Sequence, residues 1–288
     1  MSQAGASVTN RLLGYSDDAR LLLINADDFG MYDDINAAVA RAFQAGVVRS
    51  TSLMRPCPGA SGAMQLLKDN PGMRFGVHLS FIRDIPTYHW GPLAPKERIP
   101  SLLDETGGFY TTDRMAELLA RAKADEMEIE SRAQIDAVLA EGLAPTHLDW
   151  HCLHSGGRPD FFVMTLRLAR EYRLALRVGS HPEIEQIRSM GLPADDYDLL
   201  DSFRLNLDDK AAEYAALLRA LPAGLTEWAV HPSLGGGASQ ALDPDGWRVR
   251  RTDFDFVTSP EARAIIEEEG IILIGYAPLQ QAWQAASA

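Results

Sequence analysis

The sequence predicts an α/β fold: a single-domain, distorted (β/α) TIM-like barrel with parallel strands. Three observations carry this. The chain holds seven or eight short apolar runs, most of them are followed by residues at helical spacing, and 288 residues is an ordinary length for one such barrel.

Taken in order, LLLIN at 21–25 is a continuous apolar run of the kind buried on both faces of a sheet. DINAAVARAFQAG follows it with helical spacing, an acidic start and a glycine stop. Further strands are expected in VVRSTSLM (47–54), FGVHLS (75–80), THLDWH (146–151), LALRVGS (174–180), DLLDSF (198–203), LTEWAVH (225–231) and IILIGY (271–276). Residues 1–19 read as a polar N-terminal extension and 20–286 as the barrel domain. Two stretches break the rhythm and are expected as inserted loops: 81–112, rich in Pro, Gly and aromatics, and 232–258, with GGG at 235–237. Long loops in a compact domain are often lids or substrate walls.

Composition narrows the partners. Lys and Arg number 27 against 40 Asp and Glu, and the resulting charge of −13 repels phosphate backbones and anionic lipid, so neither nucleic acid nor membrane is expected. Cys57 and Cys152 are far apart and form no CxxC, which argues against a disulfide framework or a thiolate metal site. The first twenty residues lack the apolar run of a signal peptide, so a cytoplasmic location is expected.

The chemistry gathers at strand ends. Asn25-Ala26-Asp27-Asp28-Phe29-Gly30 puts two adjacent carboxylates at the end of the first buried strand, where charge needs a partner, and a metal ion is the partner that best explains a pair. A helix N-cap would account for one Asp, and Asp33 or Asp34 is better placed for that role. Thr146-His147-Leu148-Asp149-Trp150-His151 follows Pro145, so it enters as extended chain, with His147, Asp149 and His151 on one face. Imidazole is the commonest metal ligand, and a carboxylate such as Asp149 can hold it in the correct tautomer. His78 in GVHLS, Arg177 in LALRV and His231 in WAVHP are single strand-end residues that a barrel would bring to one pocket. Glu227 lies four residues before His231 on the same strand and could orient that ring.

INADDFG, GVHL, THLDWH and the later VHP, in this order, resemble the YdjC-like (ChbG/HpnK) carbohydrate deacetylases over roughly residues 20–280. The resemblance implies a distorted (β/α) barrel, one divalent metal ion and hydrolysis of an acetamido group on a sugar. Motif by motif, Asp28, His78 and His151 resemble the family's metal ligands, Asp27 its catalytic base, and His231 the residue placed as acid. Asp149, Arg177 and Glu227 are expected in support. Mg2+ and Zn2+ both suit such a set, so the ion stays open. Trp150 and Cys152 interrupt the histidines that follow THLD in family members acting on chitin oligosaccharides, so different sugar contacts are expected here.

A small carbohydrate is therefore the expected partner, and assembly as a homodimer stays open. Trp90 and Tyr88, with Tyr110 and Phe81, offer flat faces in the 81–112 segment of the kind that stack on sugar rings, which makes Trp90 and Tyr88 the expected substrate contacts. A metal-dependent phosphoesterase is the rival enzyme, although no second ligand set or cationic phosphate cradle is visible. A non-catalytic sugar-binding protein is the other rival, and it would be expected to have lost a ligand or Asp27.

Overall fold

The computed structural model describes residues 7–286. Helix α1 (Val8–Leu12) belongs to the polar extension and is tied to the body of the protein. The Asn10 side chain donates to the carbonyls of Ser16 and Ala19, and the Thr9 hydroxyl donates to that of Ala194.

Then come β1 (Arg20–Phe29), α2 (Asp33–Ala45), β2 (Ser50–Leu53), α3 (Ala60–Asp69) and β3 (Phe75–Leu79). A short parallel pair follows, β4 (Ile82–Arg83) with β5 (Tyr110–Thr111), and after it α4 (Met115–Arg121) and α5 (Ala124–Leu139). The second half runs β6 (His147–Trp150), α6 (Pro159–Glu171), β7 (Ala175–Leu176), α7 (His181–Ser189), β8 (Leu200–Asp201), α8 (Lys210–Arg219) and β9 (Gly224–Val230). It ends with α9 (Gly237–Leu242), α10 (Trp247–Val257), α11 (Pro260–Glu268), β10 (Ile272–Ile274) and α12 (Tyr276–Ala286).

β1 is the centre of the main sheet. It pairs with β9 from Arg20↔Gly224 to Ala26↔Val230 on one side, and with β10 and then β2 on the other. The order is β7-β6-β3-β2-β1-β9-β8 with every pairing parallel, and the sheet curls into the distorted barrel expected from the alternating runs. No ladder joins β7 to β8 among the described residues. One backbone hydrogen bond, Leu199 N–H to the Gly179 carbonyl at 3.3 Å, crosses that gap.

Helices cover the sheet, so Leu21, Leu22 and Leu23 of β1 are all fully buried despite alternating faces. Burying each such side chain contributes about 1.5–3 kcal/mol. Gly76 on β3 is required by packing: a Cβ there would lie 2.5 Å from the ring of His147, which is itself stacked on Tyr276 at 3.6 Å.

Three local expectations need correction. Tyr32, not Asp33 or Asp34, occupies the cap position of α2; the two acids sit in its first turn, at the positive end of the helix dipole. The 232–258 stretch is mostly helix, with α9 and α10 inside it, because its glycines only lead the chain into α9. The 81–112 segment is a packed wall rather than an open loop. Phe81, Ile82, Trp90, Ile99, Phe109 and Tyr110 are buried, and Glu130 of α5 accepts hydrogen bonds from the Leu93 and Ala94 N–H groups.

Candidate active site

A cavity of about 380 Å³ opens at the C-terminal ends of the strands. Asp27, Asp28, His78, His151, Arg177 and His231 all line it, so the fold brings together residues up to two hundred positions apart in sequence. This is where parallel α/β sheets place their sites, since the loops after each strand meet there.

In a regular strand Asp27 and Asp28 would point to opposite faces. Here the β1–β2 register shifts between Ala26 and Phe29, and Asp28 adopts a left-handed backbone with φ of 65°. Aspartate tolerates that region better than most residues. The bend turns both carboxylates into the cavity. Gly30 completes it at φ of +96°, where a Cβ would also crowd Leu53 and the Met54 carbonyl.

The two carboxylates have different surroundings. Asp27 Oδ1 accepts from Asn25 at 2.6 Å and from Arg177 Nη2 at 2.9 Å, while among the described residues Oδ2 accepts only from Arg177 Nη1 at 2.8 Å. Burial pushes the Asp27 carboxyl up, but the Arg177 and His78 charges outweigh it and hold it below the usual range. It is ionised and able to accept a proton. Arg177 also donates to Glu227 at 2.7 Å and lies 2.9 Å from Asp149, so one guanidinium joins three buried acids.

Asp28 faces the imidazoles. Its Oδ1 lies 3.0 Å from His151 Nδ1 and 3.4 Å from His78 Nε2, and its Oδ2 accepts from Arg250 Nη1 at 2.6 Å. Each ring is held from behind by a second acid: His78 Nδ1 by Asp149 at 2.9 Å, and His151 Nε2 by Asp84 at 3.2 Å. Burial lowers the His78 imidazolium, yet Asp149, Asp28 and Asp27 raise it to about 9. His151 is likewise raised well above its ordinary value against burial by Cys152, Asp84 and Asp28. The pocket therefore has a strong electrostatic demand for positive charge.

Asp28, His78 and His151 each offer one donor atom within 4.8 Å of the others, and all three are buried. One carboxylate oxygen and two imidazole nitrogens, each imidazole backed by a carboxylate, make a donor set that fits a divalent cation.

His231 stands on the far side, just beyond β9. Its Nδ1 lies 2.9 Å from the Ser202 hydroxyl, and Ser202 in turn donates to Asp253 at 2.6 Å. Glu227 does not touch His231. Its carboxylate is occupied by Arg177 and by the Tyr276 hydroxyl at 2.5 Å, because residue 227 still belongs to the paired strand whereas 231 lies past its end.

The model of the YdjC-like protein family matches residues 21–268, from β1 to the end of α11. The chain belongs to the YdjC-like family. A carbohydrate deacetylase of Geobacillus stearothermophilus is 32% identical over 263 residues, covering 89% of this chain and 97% of its own. One from Thermus thermophilus is 32% identical over 262 residues, covering 86% and 90%. Among solved structures, a candidate cellobiose-phosphate cleavage protein from Enterococcus faecalis V583 superposes with a TM-score of 0.78 at 28% identity, covering 90% of this chain and 98% of that one.

In this YdjC-like chain the aromatic contacts expected from sequence are displaced. Trp90 is only 5% exposed and packs edge-on against His151, with ring centroids 6.0 Å apart. The Tyr88 hydroxyl donates to the Met31 carbonyl at 2.9 Å, and neither residue lines the cavity. Tyr110 and Phe81 are buried as well. Their apolar area went into fixing the wall, as aromatic area commonly does. The aromatics that do line the cavity are Trp150 and Phe203, the latter 42% exposed. The Trp150 indole N–H and the Ser155 hydroxyl, both on cavity-lining residues, have no hydrogen-bond partner within the described protein.

Sequence reading missed Asp84, Arg250, Ser202 and Asp253. Asp84 lies in the 81–112 segment and Arg250 in a charged helix, with Asp28 at a separation of 222 residues, so no local pattern marked either one. Ser202 lies near the end of the DLLDSF run, whose placement at a strand end was the one available signal.

Proposed function

We propose that this chain is a metal-dependent hydrolase that removes an acetyl group from an N-acetylated sugar. The observation that carries the reading is the division of labour between adjacent acids: Asp28 faces the two imidazoles, while Asp27 stands beside them, ionised and with Oδ2 lightly engaged. The relatives named carbohydrate deacetylase support the substrate class.

Asp28, His78 and His151 would hold the ion. When bound, a divalent cation supplies Lewis-acid polarisation of the acetyl carbonyl and makes water more acidic. The remaining work falls to the chain. Asp27 Oδ2 receives the proton of the attacking water, with Arg177 and Asn25 fixing the carboxylate in place. His231 delivers a proton to the sugar nitrogen as the C–N bond breaks. Arg177 remains charged throughout and keeps Asp27 from turning away. Phe203 and Trp150 give the sugar ring apolar faces.

The supporting experiment is acetate release from a panel of N-acetylglucosamine mono- and oligosaccharides, run beside phosphate release from sugar phosphates. Acetate from at least one N-acetylated sugar is the expected result. Phosphate release with no acetate from any sugar would overturn the reading in favour of a phosphoesterase.

A further inference from the structure

Beneath His231 lies a buried polar network that neither metal binding nor the base requires. Asp253 of α10 is fully buried, and both its oxygens are saturated with donors. Oδ1 is 2.5 Å from Lys210 Nζ and accepts from the Tyr214 hydroxyl at 2.9 Å; Oδ2 accepts from the His231 backbone N–H at 2.8 Å and from Ser202 at 2.6 Å. Lys210 and Tyr214 come from α8, Ser202 from the end of β8, and His231 from the end of β9, so three separate segments meet on the one carboxylate of α10.

Hydrogen-bond accounting fixes the direction of the chain. A carboxylate paired with a buried ammonium has no proton to give, so the Ser202 hydroxyl spends its only proton on Asp253. Its oxygen can then only accept from His231, 2.9 Å away, which requires a proton on His231 Nδ1. Nε2 has no partner within the described protein and is the ring nitrogen left for the cavity that His231 lines. Phe203, the next residue after Ser202, packs edge-on against the ring with centroids 4.8 Å apart and limits its rotation.

We propose that Ser202 and Asp253 are positioning residues that hold His231 with its proton on Nδ1, making Nε2 the atom that protonates the departing amine. This rests on the reading of His231 as proton donor. His231 enters the step as an imidazolium, its second proton taken up on Nε2 from water in the cavity; the C–N electron pair goes to nitrogen, nitrogen takes that Nε2 proton, and a neutral imidazole remains with its proton on Nδ1, still bonded to Ser202. Because Ser202 accepts from Nδ1 and donates to Asp253, the device sets the tautomer and the aim of Nε2 together, which a direct carboxylate contact would do with a different charge beside the ring.

The test compares two leaving groups. An N-acetyl sugar must have its nitrogen protonated, whereas 4-nitrophenyl acetate releases a phenolate that needs no proton. Ser202→Ala leaves Asp253 with three donors and should keep the fold. Its kcat on the N-acetyl sugar is expected to fall about 10- to 10²-fold, the scale of a misaimed catalytic group. KM and the ester rate should stay within about 2-fold of wild type, and Ser202→Thr, which keeps the hydroxyl, should recover the amide rate. Nitrogen NMR of His231 should show the Nδ1–H tautomer in wild type and lose that preference in Ser202→Ala. Equal loss on amide and ester, or an unchanged tautomer, would overturn the relay. Full amide activity in Ser202→Ala alongside an inactive His231→Ala would overturn it too while leaving His231 as the donor. An active His231→Ala would overturn the donor reading itself.

Discussion

Asp84 Oδ1 sits 3.2 Å from His151 Nε2, on the side of the ring away from Asp28. The imidazole is thereby held between two carboxylates, one inside the candidate metal centre and one in its wall. Arg250 links the same two acids from above, reaching Asp28 at 2.6 Å and Asp84 at 3.4 Å. A carboxylate behind a ligand imidazole fixes its tautomer and raises its basicity.

Asp84→Ala should therefore weaken divalent-metal affinity by about 10- to 100-fold without unfolding the protein, since Asp84 has a partly exposed side chain. Isothermal titration with Zn2+ and Mg2+ checks this. Unchanged affinity for both ions would show that the Asp84 contact does nothing for a bound metal.

Asp27→Asn should retain metal and fold but lose turnover, because an amide matches the carboxylate in shape and cannot take a proton. General-base loss costs about 10² to 10⁴ in rate. Steady-state kinetics on metal-replete protein measures it, and a rate within a few-fold of wild type would move the base elsewhere.

The origin of these pieces in the sequence is uneven, for physical reasons. The continuous apolar run LLLIN marked β1, which is buried on both faces and admits little else, whereas β2 (STSL) and β6 (HLDW) carry buried polar residues and stood out only within the longer stretches VVRSTSLM and THLDWH. Convergence of Asp27, Asp28, His78, His151, Arg177 and His231 on one cavity followed from strand ends alone. The left-handed turn at Asp28 was not legible, since two adjacent acids carry no sign of which way the backbone bends. Arg250 and Asp84 were hidden by distance along the chain. Trp90 and Tyr88 misled because an aromatic that packs and one that stacks on a ligand look alike in a string of letters.

That last distinction predicts opposite outcomes for two truncations. Phe203→Ala should raise KM for the sugar while leaving metal content and stability near wild type, because Phe203 lines the cavity and is partly exposed. Trp90→Ala removes a buried wall residue and should cost about 3–5 kcal/mol of stability. Thermal denaturation with kinetics on both variants separates the roles; a folded, fully stable Trp90→Ala with raised KM would restore Trp90 as a sugar contact.

Asp195, 3% exposed, predicts a pH effect on stability. Burial and the neighbouring Glu227 push its carboxyl well above the usual value, against the pull of Arg177, so the folded chain keeps a proton there that the unfolded chain releases. The unfolded state then binds fewer protons as pH rises above the ordinary carboxylate range, and stability falls toward the folded pKa, by at most about 1.4 kcal/mol per pH unit. Asp195→Asn is neutral at every pH, so its stability relative to wild type should improve as pH rises above the ordinary carboxylate range. Parallel denaturation curves across that range would contradict the assignment.

Asp28, His78 and His151 are proposed to form one metal centre that hydrolysis requires. The direct test measures bound metal and acetate release on the same preparations of wild type and His151→Ala. Wild type is predicted to bind one divalent ion per chain and to release acetate from an N-acetylglucosamine oligosaccharide, and His151→Ala to lose both together. Full metal content and full acetate release in His151→Ala would contradict it.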